Sequence, residues 1–199
     1  MANDAARLLE TEGDDKTKKE NRDQAGVLML RSYRGLPKHK RLTKLLQEPE
    51  YQKLMKETEL LFLRDQGQKM HEIDDELYYT VDEKNQSIDI SDKGRLLLCS
   101  AHEDTEMFII PDIATALSAI EGDMNISAED KQIKIDEMNL LYSERSDRIH
   151  TIHQLLRAYS LYEKDVEYVI QDNKVMIVDE FTGRILEGRR YSEGLHQAI

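Results

Sequence analysis

One cysteine in 199 residues, Cys99, rules out an internal disulfide. The longest apolar runs, such as Val27–Leu30, Leu96–Cys99 and Val175–Val178, are four residues, against roughly 20 for a membrane-spanning helix. The amino terminus, from Met1 to Arg7, lacks the basic-then-apolar layout and cleavage pattern of a signal peptide. These absences predict a chain that stays in a reducing, cytoplasmic setting. No repeat of fixed period and no low-complexity tract is present. There is no Gly-x-Ser-x-Gly, no nucleophile with a placed base and no Rossmann glycine pattern, so these enzyme classes lack support.

What is present points to a folded chain. Hydrophobic residues make up 39% and charged residues 34%, with a mean hydropathy of -0.66. That is the polar edge of the globular range, but the long apolar-periodic segments are ones a disordered chain lacks. The length suits one domain, or one domain with a helical appendage. The net charge of -12 is unevenly spread: Lys and Arg outnumber Asp and Glu by 15 to 12 through Met70 and fall short by 13 to 28 beyond it. The acidic part repels polyanions at long range. Arg31, Arg34, Lys38, Lys40, Arg41 and Lys44 are the basic exception, with no acid between Gln24 and Gln47. They read either as a solvated helix face or as a site for RNA or anionic lipid, and with only Tyr33 interleaved to stack on bases the solvated face is favoured.

Periodicity predicts helices first. Ala5, Leu8 and Leu9 share a face, Lys16–Arg22 is charge-dense, and Ala25, Leu28, Met29 and Ser32 make a short amphipathic face ending near Gly35 and Pro37. Leu42, Leu45 and Leu46 mark another helix. Pro49 opens one of about five turns through Tyr51, Leu54, Met55, Thr58, Leu61, Phe62 and Asp65. The period then changes, and Leu77–Asp82 and Ser87–Ile90 predict a hairpin around residues 83–86. Ser91 caps a helix through Leu96–Cys99, and Pro111-Asp112 opens a short one closed by Gly122 and Asn125. From Ser127 a helical pattern runs to about Tyr162, as one helix or as two joined near Arg145–Asp147. Asp165–Gln171 and Lys174–Asp179 flank Asp172-Asn173, which suit a type I′ turn. That turn places Tyr168, Ile170, Val175 and Ile177 on one face and Val169 and Met176 on the other. A ribbon apolar on both faces is either covered on both sides or keeps a face or edge for a partner.

Several motifs fall short of a site. Val175–Glu180 resembles a strand that delivers an acid to magnesium. Gly183–Arg190 has the glycine spacing of a phosphate loop, but Arg189 replaces its Lys, Arg190 its Ser or Thr, and it follows the acidic strand. A complete nucleotide site is not expected. His150 and His153 are three apart with no further ligands to complete a set, so no metal is expected. Glu72, Asp74, Asp75 and Glu76 lack calcium-loop spacing and read as a solvated loop. Cys99 follows three leucines and reads as a buried small hydrophobe.

The block Ile177-Val-Asp-Glu-Phe-Thr-Gly-Arg-Ile-Leu-Glu-Gly-Arg-Arg-Tyr-Ser-Glu-Gly-Leu-His-Gln-Ala-Ile199 resembles very closely a signature of the SecA family, the motor ATPases that drive preproteins through the bacterial SecYEG channel. The resemblance extends to Asp165–Ile170, Arg157–Tyr162 and Tyr79–Lys84, covering most of residues 77–199 in order. Residues 1–70 resemble, far more loosely, the helical extension of some long members.

The resemblance implies that residues 71–199 are the preprotein cross-linking domain, which swings about a two-stranded stem to close on translocating polypeptide. The expected fold class is α+β: several helices with two antiparallel β-hairpin elements, the second continuing into a stem toward the first nucleotide-binding domain. The Walker motifs are implied to precede Met1 and the second nucleotide-binding domain to follow Ile199. The chain is therefore expected to be a fragment without catalysis or cofactor of its own, with ATP and magnesium belonging to the parent. Implied partners are unfolded preprotein and signal peptide, the SecYEG channel and the remaining domains of the parent, with no specific nucleic acid. The implied location is cytoplasmic and peripheral to the inner membrane.

Tyr168 is the implied substrate contact. A motor that moves almost any unfolded chain cannot read sequence, so main-chain pairing plus an adaptable apolar surface from Tyr168, Ile170 and Met176 suits it. Arg184, Arg189 and Arg190 are expected to pair with Asp179, Glu180 or Glu187 and to fix the stem against its neighbour. Many members of the family carry Trp where this chain has Tyr191.

Overall fold

The computed structural model describes residues 1–11, 14–102, 106 and 108–199. Four helices come first: α1 (Ala2–Glu10), α2 (Asp15–Gly35), α3 (Lys40–Leu45) and α4 (Pro49–Leu63). The charge-dense stretch is not a separate segment. Asp14 accepts the Thr17 N–H at 2.9 Å and so starts α2, which runs unbroken for 21 residues because Lys, Glu, Arg and Gln are all good helix formers. Ala5, Ala25, Met29 and Leu54 form a core with Leu8, Leu9, Leu28 and Tyr51 around it, and Ala2, Ala6, Leu42 and Leu45 form a second cluster. Gly26 lets α4 approach closely, since a Cβ there would lie 2.1 Å from Thr58 Oγ1. Helix α4 ends at Leu63, short of the expected Asp65, where Gln66 takes a φ of 62°.

After α5 (His71–Asp74), β1 (Tyr79–Asp82) and β2 (Ser87–Ile90) pair antiparallel with Asp82 opposite Ser87, the four-residue loop the sequence predicts. Ser91 Oγ accepts the Gly94 N–H at 3.1 Å and starts α6 (Asp92–His102). Asp112 caps α7 (Ile113–Gly122), and Ser127 caps α8 (Ala128–Leu161), a single helix of 34 residues. At 1.5 Å per residue it spans about 51 Å. Its buried residues, Gln154, Ala158, Ser160 and Leu161, all lie at its carboxyl end, where Leu161 packs with Val81 and Ile88 of the first hairpin. Its amino-terminal part packs along α7, tied by Lys131 to Glu121 O and by Arg145 to Ile109 O.

The second hairpin, β3 (Tyr168–Gln171) and β4 (Lys174–Val178), has the expected register, with Gln171 opposite Lys174 and Tyr168 opposite Ile177. Asp172 and Asn173 take φ of 51° and 59°, as a type I′ turn requires. A further strand, β5 (Ile185–Leu186), pairs with Ile177 and Val178, so the sheet has three strands with β4 central. The short helix α9 (Leu195–Ala198) comes last. The architecture is α+β, with two small antiparallel sheets among helices. No helix among the described residues is long and apolar enough to cross a membrane.

Candidate functional site

The hydrogen bonds of the three-stranded sheet establish which edges are open. Val178 N–H donates to Glu167 O at 3.0 Å on the β3 side, and Asp179 N–H donates to Arg184 O at 2.8 Å on the β5 side. Peptide groups alternate along a strand, so those of Val175 and Ile177 face the β5 side. Pairing there ends at Ile177 and Leu186, which leaves Val175 without a neighbouring strand. It faces a cleft of about 760 Å³ whose walls include Lys174, Met176, Glu187, Arg189, Arg190 and His196. On the outer edge of β3, Tyr168 O already accepts the Asp165 N–H at 2.7 Å, so only Ile170 presents open main chain there.

None of the hairpin's apolar side chains is fully buried. Ile170 is 52% exposed, and Tyr168, Val169, Val175, Met176 and Ile177 are half-buried. A second cleft of about 760 Å³ lies between the turn of the first hairpin and the base of the second, bounded by Glu83, Lys84, Val166, Glu167, Ile177 and Tyr191.

The stem residues sit differently from expectation. Among the described residues, no ion pair joins Arg184, Arg189 or Arg190 to Asp179, Glu180 or Glu187. Asp179 instead caps its own turn: its Oδ1 accepts both the N–H and the hydroxyl of Thr182 at 2.7 Å, and those bonds hold its carboxyl below the usual range. Gly183, at φ 65°, completes the turn, and Phe181 stands on it 92% exposed. A local turn satisfies Asp179 without ordering a long arginine side chain, which explains why that arrangement prevails. The arginines remain exposed, Arg189 and Arg190 along the first cleft.

The basic segment also finds partners that sequence reasoning could not locate. Arg34 forks onto Asp74 at 2.5 and 2.7 Å, Arg31 donates to Glu72 O at 3.0 Å, Arg41 to Asn3 Oδ1 at 3.2 Å, and Lys38 pairs with Glu167 and donates to Leu161 O at 2.8 Å. Four of the six cations thus bind the chain itself, three of them joining α2 and its adjoining turn to elements beyond α4. The acidic run Glu72–Glu76 is correspondingly no free loop: Asp74 serves Arg34, Glu76 lies 3.5 Å from Lys93, and Ile73 is buried.

His150 Nε2 lies 2.8 Å from Glu193 O, linking α8 to the segment before α9. Among the described residues, no three His, Cys, Asp or Glu side chains stand together as metal ligands. Burial lowers the pKa of His196 below the usual histidine value, with Arg190 adding to the effect. Tyr191 packs edge-on against Tyr162 at 5.0 Å and donates to Glu167 O at 2.8 Å; burial, with Tyr162 and Glu167 nearby, pushes its phenol up to about 12.

An α+β domain that presents a three-stranded sheet with open edges between two clefts is the class these features define. The family model of the SecA preprotein cross-linking domain matches residues 56–199. Protein translocase subunit SecA of Chlorobium luteolum is 55% identical over 177 residues, 88% of this chain and 17% of that protein. The same subunit of Chlorobium phaeobacteroides is 53% identical over 98% of this chain and 19% of its own length, and that of Chlorobaculum tepidum 53% over 93% and 18%. The chain belongs to the SecA family, and it spans less than a fifth of the length of these relatives.

Proposed function

We propose that this chain is the preprotein-binding part of a Sec export motor, and that it holds unfolded polypeptide as an extended segment against the β3–β4–β5 sheet. The observation that carries the reading is the second hairpin: apolar on both faces, nowhere fully buried, and open along β4 at Val175. Main-chain pairing is indifferent to sequence, and Tyr168 and Ile170 on one face of the hairpin and Met176 on the other offer apolar surface that accepts many side chains. Residues 71–199 form this binding part, and residues 1–70 are a helical extension of it.

Glu180, Arg184, Arg189 and Arg190 offer the rest of the parent charges that are not spent on one another, and Asp179 shapes the turn beside them. Signal peptide and mature preprotein are the substrates, the SecYEG channel and the other SecA domains the neighbours, and the cytoplasmic side of the inner membrane the place of work. ATP and magnesium act on the larger part of the parent, outside these residues. Membership in the family and the small share of each relative that is covered support this division.

The test is fluorescence anisotropy of an unfolded signal-peptide segment titrated with this chain, beside a Tyr168→Asp variant shown to be folded by circular dichroism. Saturable binding that the variant loses is expected. Failure of the unmodified chain to bind overturns the reading for this chain alone, and binding unaffected by the substitution moves the site off the hairpin.

A further inference from the structure

Lys38 lies in the turn between α2 and α3, 123 residues from Leu161 and 129 from Glu167, yet its ammonium binds both. Leu161 ends α8. The last carbonyls of a helix have no intrahelical N–H, and the negative end of the helix dipole gathers there. Helix α8 has no basic residue in its own last turn, so the cation that this end calls for is supplied by the α2–α3 turn.

Glu167 is a junction in its own right. Glu163 N–H donates to its Oε2 at 2.7 Å, while Val178 N–H and the Tyr191 hydroxyl donate to its carbonyl oxygen at 3.0 and 2.8 Å. One residue before Tyr168, the α2–α3 turn, the exit of α8, strand β4 and the segment leading to α9 therefore meet. The side chains of Lys38 and Glu167 are 27% and 26% exposed, too little for water to replace either partner freely. Helix α2 is itself anchored by Arg34 on Asp74 and by the Tyr33 hydroxyl on Glu83 at 3.0 Å, so Lys38 projects from a fixed support.

We propose that Lys38 is a positioning residue for the β3–β4–β5 sheet: by capping α8 and holding Glu167 it makes the amino-terminal helices a brace for the surface that takes polypeptide. Its bearing on polypeptide rests on the binding reading above; the brace itself does not. Losing Lys38 leaves the Glu167 carboxylate held by the Glu163 N–H alone and takes the cation from the α8 terminus, and the sheet then opens from its base while the α1–α2–α4 core stays closed.

The experiment is amide hydrogen exchange on the whole chain, unmodified and with Lys38→Met, together with peptide anisotropy. Faster exchange, by about tenfold or more, is expected at Glu163, Val178 and the β3–β4 ladder, with Ala25 and Met29 unchanged, as sub-global opening requires. Lys38→Arg restores protection in part, and peptide affinity tracks protection across the series. Unchanged exchange at Glu163 and Val178, or an equal rise throughout the chain, overturns the proposal. If Lys38→Met fails to fold, Lys38→Gln, which keeps a donor, is judged by the same criteria. Exchange decides the brace even if the unmodified chain binds no peptide, a result that would count against the binding reading alone.

Discussion

The hydroxyl of Tyr191 donates to the main-chain oxygen of Glu167 at 2.8 Å, and the same oxygen accepts the Val178 N–H at 3.0 Å. The aromatic position after Arg190 thus anchors the end of the chain to the base of the sheet. Tyr191→Phe keeps the edge-on contact with Tyr162 and loses the hydrogen bond, so an equilibrium urea titration is expected to show a loss of about 1 kcal/mol.

The same phenol predicts an alkaline limit. Tyr191 and Tyr33 are both pushed up to about 12 from 10.0, chiefly by burial, with Glu83 contributing at Tyr33. Each holds its proton more tightly folded than unfolded. Their contribution to stability is therefore complete below pH 10 and is lost as pH rises from there through about 12. Following the tyrosinate absorption band, Tyr191→Phe and Tyr33→Phe should each remove one late-titrating group.

Two glycines should respond oppositely to alanine. A Cβ on Gly94 would sit 2.0 Å from the main-chain oxygen of Tyr78, which cannot move aside without parting α6 from the first hairpin. Gly94→Ala is expected to cost about 1–3 kcal/mol or more, through overpacking. Gly122, the last residue of α7, has nothing within 4 Å of such a Cβ, and there alanine is expected to stabilise by about 0.4–1 kcal/mol by restricting the unfolded chain. Thermal melts of the pair decide both.

The turn of the second hairpin offers a third comparison. Asn173 sits at φ 59°. Asn173→Gly should preserve or slightly raise stability, while Asn173→Val should cost about 1–2 kcal/mol, because a β-branched residue is strained in the left-handed region. Nuclear magnetic resonance of the cross-strand amides reads whether the register of Gln171 against Lys174 survives.

Proline separates main-chain recognition from side-chain recognition. The N–H of Val175 faces the open cleft, whereas that of Met176 lies on the β3 side, opposite Val169. Val175→Pro should leave the β3–β4 ladder in place and weaken unfolded-peptide binding by about tenfold, the value of one lost hydrogen bond. Met176→Pro should disrupt the ladder itself. Full-strength binding by a folded Val175→Pro variant would mean that peptide does not pair with β4 on that side.

Much of the fold was legible because its causes are local. Asp172-Asn173 specify a two-residue turn, and the turn specifies the register on either side of it. Ser127 caps α8, and with no glycine or proline from Ala128 to Leu161 nothing breaks it at the Arg145–Asp147 stretch, where two helices were also allowed. Strand β5 was not legible, since two residues, Ile185 and Leu186, are too few to show an alternating pattern, and they pair only because the Asp179–Gly183 turn returns them to β4. The hairpin residues proposed for binding were legible as a surface. Which edge they leave open was not, because that depends on where β5 stops.

By itself, the sequence determined the α+β class, both hairpins, and the family whose signature runs from Ile177 to Ile199. Each of these depends on neighbours within a few residues, or on a pattern read along the chain. The tertiary structure alone decided that the basic segment is a set of tethers, that Asp179 caps a turn instead of pairing with an arginine, and that Lys38 meets Glu167 across 129 residues. Charges find partners by distance in space, and closing so long a loop costs an entropy that grows only slowly with its length. The partner of a charge is therefore chosen by where the packed helices happen to carry it, a fact the linear order of residues does not contain.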